Sequence, residues 1–122
     1  MTIRILAIDD SPTIRALVAK ALRGAGFEVV LASDGVSGIE SLQEAQPDLI
    51  ITDINMPRMD GFRVIETVRA DDRYSDVPIL VLTTESGADL KARARRAGAT
   101  AWIVKPFKDA RLIAIINRVL GR

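Results

Sequence analysis

A chain of 122 residues is the size of one domain, and 48% hydrophobic content with only 4% aromatic residues makes its core aliphatic. The 17 basic and 16 acidic side chains nearly cancel, which gives no support to nucleic-acid or membrane binding driven by bulk charge. With no cysteine and no histidine, the chain can make no disulfide, thiolate or imidazole metal site, thiol nucleophile or Ser-His-Asp triad.

The first apolar run, Ile3–Ile8, reads as a strand and ends in Asp9-Asp10. Ser11 and Pro12 then supply an N-cap and a first helical residue. Ile14, Leu17, Val18, Ala21 and Leu22 follow at helical spacing and are expected to face inward, with Gly24 and Gly26 ending the helix. A second strand over Phe27–Ala32 leads to a helix from about Gly35 to Gln46, stopped before Pro47. The third strand, Leu49–Ile51, is followed by Asp53, Ile54, Asn55, Met56 and Pro57. A third helix is expected from about Asp60 to Asp72, with Phe62, Ile65 and Val68 inward. The fourth strand, Ile79–Leu82, runs into Thr83-Thr84-Glu85 and a helix from about Ser86 to Ala97. The fifth, Ala101–Val104, runs into Lys105-Pro106-Phe107 and a helix from Asp109 to Leu120.

Strand and helix alternate five times, and the apolar runs mostly lack polar alternation. Such runs suit strands buried on both faces of a parallel sheet, so the expected fold is a doubly wound α/β sandwich with right-handed crossovers. One domain over 1–122 is expected, with no attached output domain, since the sequence stops just after the fifth helix. The apolar runs are strand-sized, and Met1-Thr2-Ile3-Arg4 lacks the order of a signal peptide. A soluble cytoplasmic protein is therefore expected.

In doubly wound folds the chemistry lies at the carboxyl ends of the strands. There this sequence places Asp9, Asp10 and Asp53, the hydroxyls of Thr83 and Thr84, and Lys105. Clustered carboxylates stay ionised only beside a cation. Hard oxygen ligands without His or Cys favour Mg²⁺. Lys105 could pair with a phosphoryl oxygen, a threonine hydroxyl could donate to another, and Asp53 would be the nucleophile, forming an aspartyl phosphate. Taken singly, each residue has an ordinary reading: a helix cap for Asp9 or Asp10, turn hydroxyls for Thr83 and Thr84, a solvated charge for Lys105. Their conjunction on one rim, with Ser11 already serving as a cap, favours the site.

These residues resemble a response-regulator receiver domain, most closely the single-domain chemotaxis regulators of the CheY type. The resemblance rests on Asp9-Asp10-Ser11, Asp53 with Asn55-Met56-Pro57 and Asp60-Gly61, Thr83, and Lys105-Pro106-Phe107, and it covers essentially the whole chain. It implies a flavodoxin-like fold with strand order 2-1-3-4-5 and a cis Lys105–Pro106 bond. It implies phosphorylation of Asp53 by a histidine kinase. It implies Mg²⁺ held by Asp10, Asp53 and the Asn55 carbonyl with support from Asp9, and Thr83 and Lys105 on the phosphoryl group. Such a domain is not an enzyme in the ordinary sense, since it catalyses only its own phosphotransfer and autodephosphorylation. The switch aromatic three residues before the lysine, commonly Tyr or Phe in the family, is here Trp102. Trp102 is either a core residue or, with Thr83, a rotamer switch, and its bulk puts a simple copy of the flagellar-motor interaction in question.

The fourth helix carries Lys91, Arg93, Arg95 and Arg96 against Asp89, over a thin inward stripe of Leu90, Ala94 and Ala97. Lys91, Arg95, Arg96 and Trp102 are the expected partner face, formed by helix four, strand five and helix five. A protein target such as a flagellar switch component is the expected partner, with no nucleic acid and no membrane, the chain itself being a monomer. The fifth helix has a wide apolar arc of Leu112, Ile113, Ile115, Ile116, Val119 and Leu120. A competing reading is a small haloacid-dehalogenase-like phosphatase with an Asp nucleophile. That class places its nucleophile after the first strand with a second Asp two residues on, whereas here Asp53 follows the third strand and is followed at that spacing by Asn55. A flavodoxin-like cofactor carrier is disfavoured by Asp9-Asp10, acids where an anion-cradling loop would lie.

Overall fold

The computed structural model describes residues 2–122, so Met1 lies outside the described residues. Five strands, β1 (Arg4–Ile8), β2 (Glu28–Ala32), β3 (Leu49–Thr52), β4 (Ile79–Thr83) and β5 (Ala101–Val104), form one parallel sheet in the order β2-β1-β3-β4-β5. Five helices connect them: α1 (Pro12–Gly24), α2 (Gly35–Ala45), α3 (Gly61–Ala70), α4 (Ala88–Ala97) and α5 (Asp109–Val119). This is the flavodoxin-like arrangement expected from the sequence.

The period-two alternation of strand side chains divides the core into two layers. Leu6, Ile8, Ile50, Ile79 and Val81 meet Leu42, Phe62, Ile65, Val68 and Ala94 on the face covered by α2, α3 and α4. Ile5, Ala7, Leu49, Ile51, Leu80 and Leu82 meet Val18, Leu22, Leu112 and Ile116 on the face covered by α1 and α5. Burial on both faces holds for β1, β3 and β4 but fails at the edges. In β2, Glu28 and Leu31 are exposed, and in β5 Val104 is 40% exposed, because an edge strand has a neighbour on one side only.

Local signals set the helix ends. The Ser11 side chain accepts from the Ile14 amide at 3.2 Å, Pro12 opens α1, and Asp34 and Asp60 cap α2 and α3 in the same way. One expectation is corrected here. Leu17 is 49% exposed. The buried side of α1 is centred on Val18, with Ala21 and Leu22 beside it, and Leu17 stands about 100° round the helix from Val18. Phe62, Ile65 and Val68 face inward as expected, joined by Val64. No helix among the described residues is long and apolar enough to cross a membrane.

Candidate functional site

The order β2-β1-β3-β4-β5 reverses direction beside β1 and β3, and the carboxyl ends of these two strands carry the acids. Asp9 follows β1 and Asp53 follows β3, each fixed by its own backbone: the Asp9 amide donates to the Ala32 carbonyl and the Asp53 amide to the Ile8 carbonyl, both at 3.1 Å. Both side chains are buried. Asp9 Oδ1 accepts from the Ser11 amide at 2.9 Å, so this acid also orders the start of α1. Asp53 Oδ1 accepts from the Ile54 amide at 2.6 Å. Asp10 is exposed, at the mouth of the site. Carboxylate oxygens of Asp9, Asp10 and Asp53 lie within 4.8 Å of one another.

Lys105 reaches this cluster from the far edge of the sheet. Its amide donates to the Thr83 carbonyl at 2.7 Å, and the peptide bond to Pro106 is cis. Its Nζ donates to Asp9 Oδ2 at 2.6 Å and to Asp53 Oδ2 at 2.9 Å. The lysine side chain is only 7% exposed, so it is not a solvated surface charge. Burial pulls the ammonium pKa down, but hydrogen bonds and charge from Asp53 and Asp9 outweigh it, and the pKa lies above its ordinary 10.5.

Three carboxylates and one ammonium leave two negative charges uncompensated. A single divalent cation would neutralise them, and a donor set made only of oxygens suits Mg²⁺. The residues present therefore fit the ion that the sequence reading expects.

Thr83, the last residue of β4, is fully buried, and its Oγ1 accepts from the Glu85 amide at 3.3 Å. Asn55 turns its side chain outward, where Nδ2 donates to Glu85 Oε1 at 2.9 Å. Trp102 is half-buried, and its Nε1 donates to the Glu85 carbonyl at 3.2 Å. Glu85 thus joins the loop after β3, the hydroxyl of β4 and the indole of β5. Sequence reading placed Glu85 at the end of the fourth strand but gave it no role, because two of its contacts use its backbone amide and carbonyl and the third joins its carboxylate to Asn55, 30 residues away in sequence. Gly61 is also required here: a Cβ on it would overlap the carbonyl oxygen of Asp53, so only glycine lets α3 start against that backbone.

Of the expected partner face, Lys91, Arg95 and Trp102 line one shallow depression between α4 and β5. Arg96 does not line that depression; it shares a second one along α4 with Lys91 and Arg95 and also borders the groove toward α3. In α5, Leu112 and Ile116 are buried, while Ile113, Ile115, Val119 and Leu120 are half-buried.

Comparison with known proteins agrees with this geometry. Residues 5–117 match the response regulator receiver domain. The transcriptional regulatory protein PrrA of Mycobacterium tuberculosis is 41% identical over 119 residues, covering 98% of this chain but 50% of PrrA. The chain thus spans about half the length of the first curated relatives it matches. Chemotaxis protein CheY4 of Vibrio cholerae is 42% identical in sequence, with a TM-score of 0.94 and coverage of 98% of this chain and 99% of that one. The receiver domain of the sensor histidine kinase PA1611 of Pseudomonas aeruginosa PAO1, solved with magnesium coordinated in its active-site cleft, is 30% identical with a TM-score of 0.91, covering 100% of both chains. With its strand order, its acid cluster and its lysine in place, the chain belongs to the response-regulator receiver family.

Proposed function

We propose that this domain is a Mg²⁺-dependent phosphorylation switch whose phosphoacceptor is Asp53, charged by a histidine kinase. The observation that carries the reading is the placement of Asp53. It is buried at the end of the central strand, 2.9 Å from Lys105 Nζ and within 4.8 Å of the carboxylate oxygens of Asp9 and Asp10. Asp9, Asp10, Asp53 and the Asn55 carbonyl would hold Mg²⁺, which when bound neutralises the carboxylates and the charge on the transferring phosphoryl group.

A carboxylate oxygen of Asp53 attacks the phosphorus of a phosphohistidine. The new O–P bond forms as the N–P bond breaks, and the electron pair leaves on the imidazole nitrogen, which takes up a proton. Lys105, already held against Asp53, moves its ammonium onto a phosphoryl oxygen. The Thr83 hydroxyl turns toward another and leaves the Glu85 amide. In autodephosphorylation water attacks the same phosphorus, and the O–P bond to Asp53 breaks to give phosphate and the free carboxylate.

The indole of Trp102, tied to the Glu85 carbonyl, senses that rearrangement. The face of α4, β5 and α5, with Lys91, Arg95, Arg96 and Trp102, would then bind a target such as a flagellar switch component. The likeness to CheY4, a chemotaxis protein, supports a role in chemotaxis; in this reading residues 1–122 form one domain that acts as a monomer in the cytoplasm.

Acetyl phosphate with Mg²⁺ is expected to load one phosphoryl group per chain and to load none in EDTA, while p-nitrophenyl phosphate turnover stays negligible. Sustained p-nitrophenyl phosphate turnover, or phosphorylation indifferent to chelator, would overturn the reading.

A further inference from the structure

The loop between β3 and α3 carries an anchor that neither the family match nor the chemistry above uses. Arg58 lies at its tip with φ 68, a left-handed conformation uncommon for a residue with a side chain. Its guanidinium grips the first turn of α2. Nε donates to Asp34 Oδ2 at 3.1 Å and Nη2 to Asp34 Oδ1 at 3.0 Å, with a further contact from Nη2 to Ser37 Oγ at 3.3 Å. The Asp34 carboxylate is itself fixed, since it caps α2 through the Ser37 amide at 2.8 Å. The next residue, Met59, sits so close to Gly35 that a Cβ on the glycine would overlap the Met59 carbonyl oxygen. At its base the loop is closed by the Gly61 amide on the Ile54 carbonyl at 2.8 Å.

We propose that Arg58 is a positioning residue for the metal site: by locking the loop tip to α2, it orients the Asn55 carbonyl three residues earlier toward the cation. This rests on the reading of Asp9, Asp10, Asp53 and Asn55 as the Mg²⁺ ligands. Mg²⁺ demands near-ideal octahedral geometry, so a backbone ligand on an untethered loop would bind poorly. Asn55 has no carboxylate of its own to swing into place, and its side chain is engaged outward with Glu85. An ion pair with the arginine 55% exposed adds little to folding stability, so its consequence lies in where it puts the loop.

The sign of the effect separates this role from electrostatics. Removing a positive charge from the protein would, by charge alone, tighten binding of a cation; losing the anchor must weaken it. Arg58→Asn is the informative variant, because asparagine tolerates the left-handed conformation but cannot reach Asp34 as a fork. Calorimetric titration with Mg²⁺ alone is expected to give an affinity roughly tenfold weaker than that of the unaltered protein, the lower end of what losing a ligand-orienting group costs. Arg58→Lys, which keeps a cation beside Asp34, is expected to recover part of the loss. Arg73→Asn, which removes a surface ion pair with Asp71 away from this loop, is expected to leave the affinity unchanged. Equal or tighter binding by Arg58→Asn, or an equal loss in Arg73→Asn, would overturn the proposal and leave the metal site standing. Failure of the unaltered protein to bind Mg²⁺ would overturn both.

Discussion

Lys105 is a cation whose neighbours, not its own surroundings, keep it charged. Its side chain is nearly buried, and only the Asp9 and Asp53 carboxylates offset the loss of water. Its raised pKa means that the pair stabilises the fold below the ordinary lysine value and is lost only as pH climbs through the higher folded value. Lys105→Met leaves two carboxylates facing each other without a cation. It is expected to lower stability in EDTA by about 1–3 kcal/mol, and Mg²⁺ is expected to return much of that. Thermal melts with and without the ion check it. Trp102, the only tryptophan, reports on one place. Breaking its hydrogen bond to Glu85 as Thr83 turns inward is expected to change emission and quencher access between Mg²⁺ and Mg²⁺ plus beryllofluoride. Identical spectra would remove Trp102 from the switch. The residues of the acid cluster were legible in sequence because each follows an apolar run. Arg58 and Asp34 were not, since they are 24 residues apart and nothing in their spacing joins them.

Among the elements, α4 is held at one end. Arg69 donates from Nε and Nη2 to the Gly98 carbonyl at 3.0 and 2.8 Å, and from Nη1 to the Ser75 and Val77 carbonyls. Arg93 lies over the Phe62 ring at 3.9 Å from its centroid. The other end begins at Gly87 with no side-chain cap, and of the helix's residues only Ala94 is buried. Amide hydrogen exchange is accordingly expected to be fastest in the first turn of α4, slower toward Gly98, and slowest in α3. Uniform protection along α4 would contradict that gradient. The thin stripe of α4 was readable from its alanines, but the Arg69 clamp was not, because its acceptors are main-chain carbonyls. The wide stripe of α1 misled at Leu17, which fits the helical spacing but stands about 100° round the helix from the buried Val18.

At the start of α2, a side-chain hydrogen bond from Arg58 and the Ser37 amide lower the Asp34 pKa from 3.8 to about 2. A depressed carboxylate pKa contributes stability that is present above the unfolded value and lost as pH falls through the folded one. This contribution is therefore expected to disappear between about pH 4 and pH 2. Acid melts of Arg58→Asn are expected to be only slightly flatter than those of the unaltered protein across that window, since the exposed pair is screened by solvent and the Ser37 amide still holds Asp34.

For the molecule as a whole, near-neutral charge conceals a segregation. Residues 86–122 carry nine basic and two acidic side chains, and the acids dominate the rest. Lys105 is engaged in the acid cluster, but Lys91, Arg93, Arg95 and Arg96 stand exposed on α4 and make that helix basic, which would favour an acidic target. The fold was legible because a parallel sheet buries its central strands on both faces and so writes them as unbroken apolar runs. Its edges were less so, as β2 shows, because burial there is decided by what lies beyond the last strand. The site followed from the fold, since three carboxylates, a threonine and a lysine at strand ends must meet once those strands are parallel neighbours.

The most direct measurement is the intact mass of the protein after incubation with acetyl phosphate and Mg²⁺, for the unaltered chain and for Asp53→Asn. The unaltered chain is expected to gain one phosphoryl group. Asp53→Asn, folded and melting at or above the temperature of the unaltered protein because one carboxylate of a crowded set is gone, is expected to gain none. A phosphoryl group on Asp53→Asn at the rate of the unaltered protein would contradict the assignment of Asp53 as the acceptor.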